Sequence, residues 1–453
     1  MKRGVILVIG LAVFIGLIVL IFVLARGQKS STATSTNLSV WMPYDETKTY
    51  QTISQDFLKA NPGVQLNFKY VEAKDAKDYE AKVVDALANG NGPDIWLIRN
   101  DWIPKHVDKS LPAFTADSKT DPITLLKQRI MPSVIDANTY NGKLYGVPLA
   151  GDALAIIYNE DFYNRYYDQA NDEQKAVLKK LASSWEELKI QTAGISRSNG
   201  ATVTRSAIAL GTTENTFAPA DVVGAFLVQS GSTVLTSDQK NINFNLAVYK
   251  NGSPTFPSTD ALDYYTSFAR PGQSNYSWST SMGDPVDAFL NQKTGALIGY
   301  YSTLKQIMEK KPGFVVKVSP LVQKDPKADR VDYGVTWSHI VNKDTANPNL
   351  AWSYLSYLGS QNVLNSYTNL TGKVSIVAPG SPLTFSDVWV DASQGKDIYR
   401  TELQTMKSLP KPEWQQTDEI LQDMIKQVVD SGQTSQNSVD TAAERFKKAF
   451  LGL

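Results

Sequence analysis

The chain has 453 residues, 42% of them hydrophobic and 20% charged, with 45 basic side chains against 45 acidic ones. That length implies two or three domains, and the neutral balance lacks the electrostatic footprint of a nucleic-acid binder, so neither DNA nor RNA is an expected partner. The absence of cysteine excludes disulfides, thiolate zinc and iron–sulfur ligation, thiol nucleophiles and the acylated cysteine of a lipoprotein anchor.

Met1-Lys2-Arg3-Gly4 precedes an uncharged apolar run from Val5 to Ala25. A bilayer-spanning helix needs about 20 apolar residues, whereas the apolar region of a secretory signal has about 7–15. Residues 1–26 therefore read as an uncleaved transmembrane anchor, with Val23-Leu24-Ala25 keeping signal cleavage as the alternative. Lys2 and Arg3 place the body on the extracytoplasmic side in either case. The expected location is the cell membrane, crossed once. Residues 27–37, rich in Ser and Thr, form a flexible spacer.

From Leu38 onward strand and helix signals alternate. LSVWM (38–42) has the content of a buried strand. A helix is predicted over 47–60, where Tyr50, Ile53, Phe57 and Leu58 share a face and Asn61-Pro62-Gly63 ends it. VQLNFKY (64–70) is a second strand. A helix from about 75 to 88 then buries Tyr79, Val83, Val84 and Leu87 ahead of a third strand, DIWLI (94–98). This βαβαβ order implies a parallel sheet with helices on its faces. In open sheets of that kind ligands bind beyond the carboxyl ends of the strands. Two loops arrive there, Pro43-Tyr44-Asp45-Glu46 and Arg99-Asn100-Asp101-Trp102. Each alone fits helix capping and a half-buried Trp; their arrival at one edge favours a ligand site.

Tyr140-Asn141-Gly142-Lys143 reads as a turn, and LYGVPLAGDALAIIYN (144–159) as two apolar strands interrupted at Pro148 and Gly151, a crossover. A polar helical stretch at 172–181 precedes Ser183-Ser184-Trp185-Glu186-Glu187-Leu188, which has the Ser-then-Glu pattern of a capping box. Helices are predicted over 260–269 and 286–292. A strand ending in paired tyrosines follows at 295–301, then an apolar strand at 331–341, a helix at 349–359 and a helical region from about 417 to 450.

The ordered series FLKANPGVQL (57–66), NGPDIWLI (91–98), NDWIP (100–104), YNGKLYGVPLAGDALAIIYNEDF (140–162), SSWEEL (183–188), AFLNQKTGALIGYY (288–301), VTWSHIVNK (335–343), PNLAWSYLSYLGS (348–360) and LPKPEWQQTDEILQDM (409–424) resembles the extracellular solute-binding proteins of ABC importers, in the branch of maltose-binding protein and related sugar binders. The resemblance covers nearly everything after the spacer. It implies an α/β fold of two lobes joined by a hinge, with a ligand cleft between them. Lobe one would combine 38–149 with about 338–385, and lobe two 150–337 with 386–453. The first hinge strand would fall at 148–151. It further implies capture of a sugar or oligosaccharide and delivery to an ABC permease, without cofactor or metal.

Sugars need aromatic platforms for their ring faces and planar polar groups for their hydroxyls. At positions that face the cleft in the family stand Trp41, Tyr44, Trp102, Tyr300, Tyr301, Trp337 and Trp414. Asp45, Asn100, Asp101 and Asp152 would bind hydroxyls, Asp152 at the position just after the hinge strand where sugar-binding relatives often carry an acidic residue. Trp41 and Trp337, inside apolar strands, suit the core better than a platform. Trp414, in an irregular segment after Pro410 and Pro412, suits either. A carbohydrate hydrolase is the alternative, because aromatic platforms with paired carboxylates also describe glycosidases. No carboxylate pair is predicted to face across one subsite, however, and no G-x-S-x-G elbow or Walker A sequence occurs. A peptide or polyol is the other alternative ligand. His106 and His339 are the only histidines and are far apart in sequence, which leaves no His-rich metal site; His106 is expected at the surface.

Overall fold

Leu38, Val40 and Met42 alternate inward along strand β1 (Thr36–Met42), the period-2 pattern of a strand with one face in a core. The computed structural model describes residues 36–452 except 115–120, 168–170, 173–174, 177–181, 237–238, 251 and 387. The apolar run of residues 1–26 and nearly all of the spacer lie outside these. Among the described residues, no helix is long and apolar enough to cross a membrane.

The expected helix over 47–60 is two, α1 (Thr47–Ile53) and α2 (Gln55–Ala60). They break at Ser54, whose buried hydroxyl bonds the Tyr354 hydroxyl at 2.7 Å. Tyr50, Ile53 and Phe57 still share the buried face. Strand β2 (Val64–Tyr70) lies parallel to β1 in unbroken register from Thr36↔Val64 to Met42↔Tyr70. Helix α3 (Ala76–Ala88) starts at Asp75, whose carboxylate accepts from the Asp78 amide at 2.8 Å. Strand β3 (Ile95–Arg99) then pairs parallel to the other side of β1. The predicted βαβαβ unit is present, with spatial order β3-β1-β2.

Strand β4 (Ser110–Leu111) is followed by β5 (Gly146–Ala153) and β6 (Ala155–Asn159). The interruption expected at Pro148–Gly151 is instead continuous strand. A bulge there sets Leu149 and Ala150 opposite Trp337 alone, and this irregularity accommodates Pro148. The change of sheet comes later, between Ala153 and Ala155. Helix α4 (Trp185–Ile195) is closed by the predicted box: Ser184 Oγ accepts from the Glu187 amide at 3.1 Å, and Glu187 Oε2 accepts from the Ser183 amide at 2.8 Å. Most of the helical stretch expected at 172–181 lies outside the described residues.

Helix α5 (Pro219–Ser230) precedes β7 (Ala296–Gly299). The paired tyrosines lie beyond that strand, Tyr300 as the N-cap and Tyr301 as the first residue of α6 (Tyr301–Glu309). Then come β8 (Val316–Pro320), β9 (Asp332–Asn342), α7 (Pro348–Leu358), α8 (Gln361–Thr371), β10 (Val390–Asp391), β11 (Met406–Lys407), α9 (Trp414–Val429) and α10 (Ser435–Leu451).

Two main sheets result, one for each α/β lobe, beside three two-stranded ones. The seven-stranded sheet runs β11-β9-β3-β1-β2, with β4 and β5 also paired to β9; the four-stranded sheet runs β7-β6-β8-β10. The chain passes from one to the other after β5, β8, β9 and β10. Strand β6 is buried on both faces, with Ala155 and Ile157 in one core and Ile156 and Tyr158 in the other. The lobe boundaries expected at 149/150 and 337/338 both fall inside strands, β5 and β9.

Candidate functional site

A cleft of about 530 Å³ opens between the lobes, and both contribute to its walls. From the large sheet and its helices come Tyr44, Glu46, Tyr50, Arg99, Trp337 and Tyr367. Asp152 enters from the end of β5, and Tyr300, Tyr301, Ser302 and Lys305 from the start of α6. The bulge in β5 sits directly across from Trp337, a common place for such irregularities to re-aim a side chain.

Of the eleven residues set at cleft-facing positions, Tyr44, Asp152, Tyr300, Tyr301 and Trp337 line this cleft; Trp41 does not, and lies half-buried with the Lys69 ammonium 3.8 Å from its ring centre. Tyr44 meets Trp337 edge-on, with ring centroids 6.2 Å apart. Trp337 is half-buried, packed against two apolar clusters and also lining the cleft, so its place in an apolar strand does not put it wholly in the core. Asp152 accepts from the amides of Tyr301 and Ser302, at 2.7 and 3.2 Å, at the N-terminus of α6. Burial nevertheless pushes its pKa up to about 6. Tyr300 reaches away through its hydroxyl, which donates to Asp221 Oδ2 at 2.9 Å.

The other five stand elsewhere. Asp45 is exposed and accepts from Thr47 Oγ1 at 2.9 Å, while its neighbour Glu46 turns inward. Asn100, Asp101 and Trp102 form a single 3-10 turn directly after β3 that folds all three into the interior. Asn100 is 2% exposed and is held by the Thr336 amide and Ser408 Oγ, each at 2.7 Å. Trp102 is also 2% exposed, stacked on Trp414 at 4.2 Å and edge-on to Trp337 at 5.4 Å. Trp414 is occupied as well, its indole donating to Glu80 Oε2 at 2.9 Å. His106, expected at the surface, is buried and pairs with Glu80 Oε1 at 2.8 Å.

Asp101 belongs to a buried charge cluster behind the cleft. Arg99 makes a two-pronged contact with it (3.0 and 2.8 Å) and also binds Asp221 Oδ1 at 3.0 Å. Lys411 joins Asp221 at 3.0 Å, Asp101 at 3.3 Å and Asp418 at 2.8 Å. Burial alone would raise the pKa of Asp221; the Arg99 and Lys411 charges hold it well below the carboxylate range. Arg99 comes from β3 and Asp221 from the first turn of α5, so the cluster ties one lobe to the other.

Sequence reasoning missed several cleft residues. Glu46 accepts from the Tyr367 hydroxyl at 2.5 Å and pairs with Lys373 at 2.7 Å. Burial lowers the pKa of Lys373, and its ammonium lies 4.1 Å from the Tyr44 ring centre. Glu46 and Arg99 each sat in a loop already singled out. Tyr367 and Lys373 carried no local signal, because helix α8 reaches the cleft only through the fold.

Comparisons with known proteins agree with this architecture. The chain is 24% identical over 329 residues to a putative binding protein of Brucella abortus, covering 71% of each. Its fold matches the cyclic alpha-maltosyl-1,6-maltose binding protein from Arthrobacter globiformis with a TM-score of 0.70 at 15% identity, over 92% of this chain and 100% of that one. It matches the sugar-binding protein MalE of Xanthomonas citri equally well, TM-score 0.70 at 19% identity, over 92% and 98%. The profile of the family described as bacterial extracellular solute-binding protein matches residues 52–395. With two lobes, an intervening cleft and a match over most of its length, the chain belongs to the bacterial extracellular solute-binding proteins.

Proposed function

We propose that the protein is the receptor of an ABC importer, capturing a sugar or oligosaccharide between its lobes and passing it unchanged to a permease. The observation that carries this reading is the cleft itself, lined by the aromatic side chains of Tyr44, Tyr301 and Trp337 beside the polar groups of Glu46 and Asp152. Flat aromatic surface next to fixed polar groups is what a sugar's ring faces and hydroxyl rim require. The two solved neighbours, described as binding maltosyl-maltose and sugar, support the same ligand class. Tyr44, Asp152, Tyr300, Tyr301 and Trp337 are the proposed contacts from the original set. Trp102 and Trp414 form the rigid stack behind Trp337. Lobe one is read as 38–149 with about 338–385, and the apolar run of residues 1–26 as a single-pass tether holding the body outside the cytoplasm.

Calorimetry against a carbohydrate panel tests this. Heat of binding with the sugar recovered intact is the expected result. Release of hydrolysed product would favour the glycosidase, and heat only with peptides or polyols would move the ligand class.

A further inference from the structure

Donors and acceptors in the cleft are unequally committed. Glu46 already accepts from Tyr367 and Lys373. Asp152 accepts from the amides of Ala153, Tyr301 and Ser302. Arg99 is taken up by Asp101 and Asp221. Lys305 differs: it lines the cleft, is exposed, and has no ion-pair partner among the described residues. Its Nζ stands at the mouth near Gly372, the left-handed residue that ends α8, 3.9 Å from the place a Cβ there would occupy. The ammonium thus extends from α6 of one lobe toward the other.

Two further features surround it. Lys373, the residue after Gly372, lines the cleft from the opposite lobe, and Lys396 is close enough that its pKa is lowered by burial first and by Lys305 second. Lys305 also follows Tyr301 by four residues on α6, and i, i+4 spacing sets two side chains side by side on one helix face. An aromatic ring and an ammonium are therefore presented together. The carboxylates of Glu46 and Asp152 already accept two and three contacts from the protein, whereas Lys305 has its charge unpaired among the described residues, so a neutral hydroxyl would leave that charge uncompensated. The group left over is a cation, which suits a carboxylate.

We infer that the solute is an acidic saccharide, one whose sugar ring lies against Tyr301 while its uronate carboxylate meets Lys305. The inference rests on the sugar-receptor reading and narrows it.

The test is calorimetry on the detergent-solubilised full chain with matched acidic and neutral trimers: trigalacturonate with galactotriose, and trimannuronate with mannotriose. Citrate serves as a carboxylate without a sugar. The expected result is an acidic trimer bound about ten-fold or more tighter than its neutral match, the fold-change of one charge-assisted hydrogen bond, with a preference that shrinks in high salt. Lys305→Gln should bring that ratio toward one and Lys305→Arg should keep it. Equal affinity for acidic and neutral trimers, a ratio untouched by Lys305→Gln, or citrate binding as tightly as the acidic trimers would overturn the inference while leaving a solute receptor in place. Heat with no saccharide at all would overturn the sugar-receptor reading beneath it.

Discussion

Trp102 and Trp337 stand in the opposite places to those that local sequence suggests, the first buried and the second lining the cleft. Trp102, in a polar loop at a ligand-binding edge, had the setting of a contact; Trp337, in an apolar strand, had the setting of core. The 3-10 turn at Asn100–Trp102 rotates the first inward onto Trp414, and the bulge opposite Trp337 faces the second to the cleft. Trp102→Ala should therefore cost about 3–5 kcal/mol of stability, the usual cost of emptying a buried aromatic site, read by denaturant unfolding. A loss under about 1 kcal/mol would place the side chain at the surface after all. The same one-residue sensitivity separates Asp45 from Glu46. Both were visible as carboxylates after β1, but which one points inward is decided by where α1 begins and by the hydroxyl of Tyr367 on a distant helix.

Among the elements, β9 is the one that other parts converge on, pairing with β3, β4, β5 and β11. His339 on this strand joins it to α1 and β5. Nδ1–H donates to the Val147 carbonyl at 2.9 Å, because a carbonyl can only accept, which leaves Nε2 to accept from the Tyr50 hydroxyl at 2.7 Å. Burial lowers the pKa of His339 to about 4 from an ordinary 6.5. The unfolded chain therefore binds the proton more readily, so this contribution is fully present above pH 6.5 and is lost as pH falls toward 4. It amounts to roughly 3 kcal/mol. Asp152 has the opposite sign: its raised value favours the folded state at low pH, and that share disappears as pH rises to about 6. The His339 share is accordingly read as the difference between wild type and His339→Gln across the range. That difference should shrink as the medium is acidified, and a constant difference would mean the imidazole titrates normally.

Local order was the most legible part of the sequence. The strands at 64–70 and near 95–99, the helix ended by Asn89, and the Ser184–Glu187 cap all follow from spacing within a few residues. The break at Ser54 did not, because its partner is Tyr354.

For the whole molecule, two lobes meet at a cleft and are tied to one another by Arg99, Asp221 and Lys411. Hinge closure around ligand is the established motion of periplasmic binding proteins. Solution scattering should show a smaller radius of gyration when a bound saccharide is added, and an unchanged radius under saturating ligand would leave the clamp picture without support. The sequence by itself determined the alternation of strands and helices and the aromatic stock of the loops after β1 and β3, because periodicity and turn residues act over a few positions. Only the tertiary structure decided which side chains face the cleft. Arg99 with Lys411, Glu46 with Tyr367, and Lys305 with the end of α8 are meetings between segments far apart along the chain, set by how the two sheets pack.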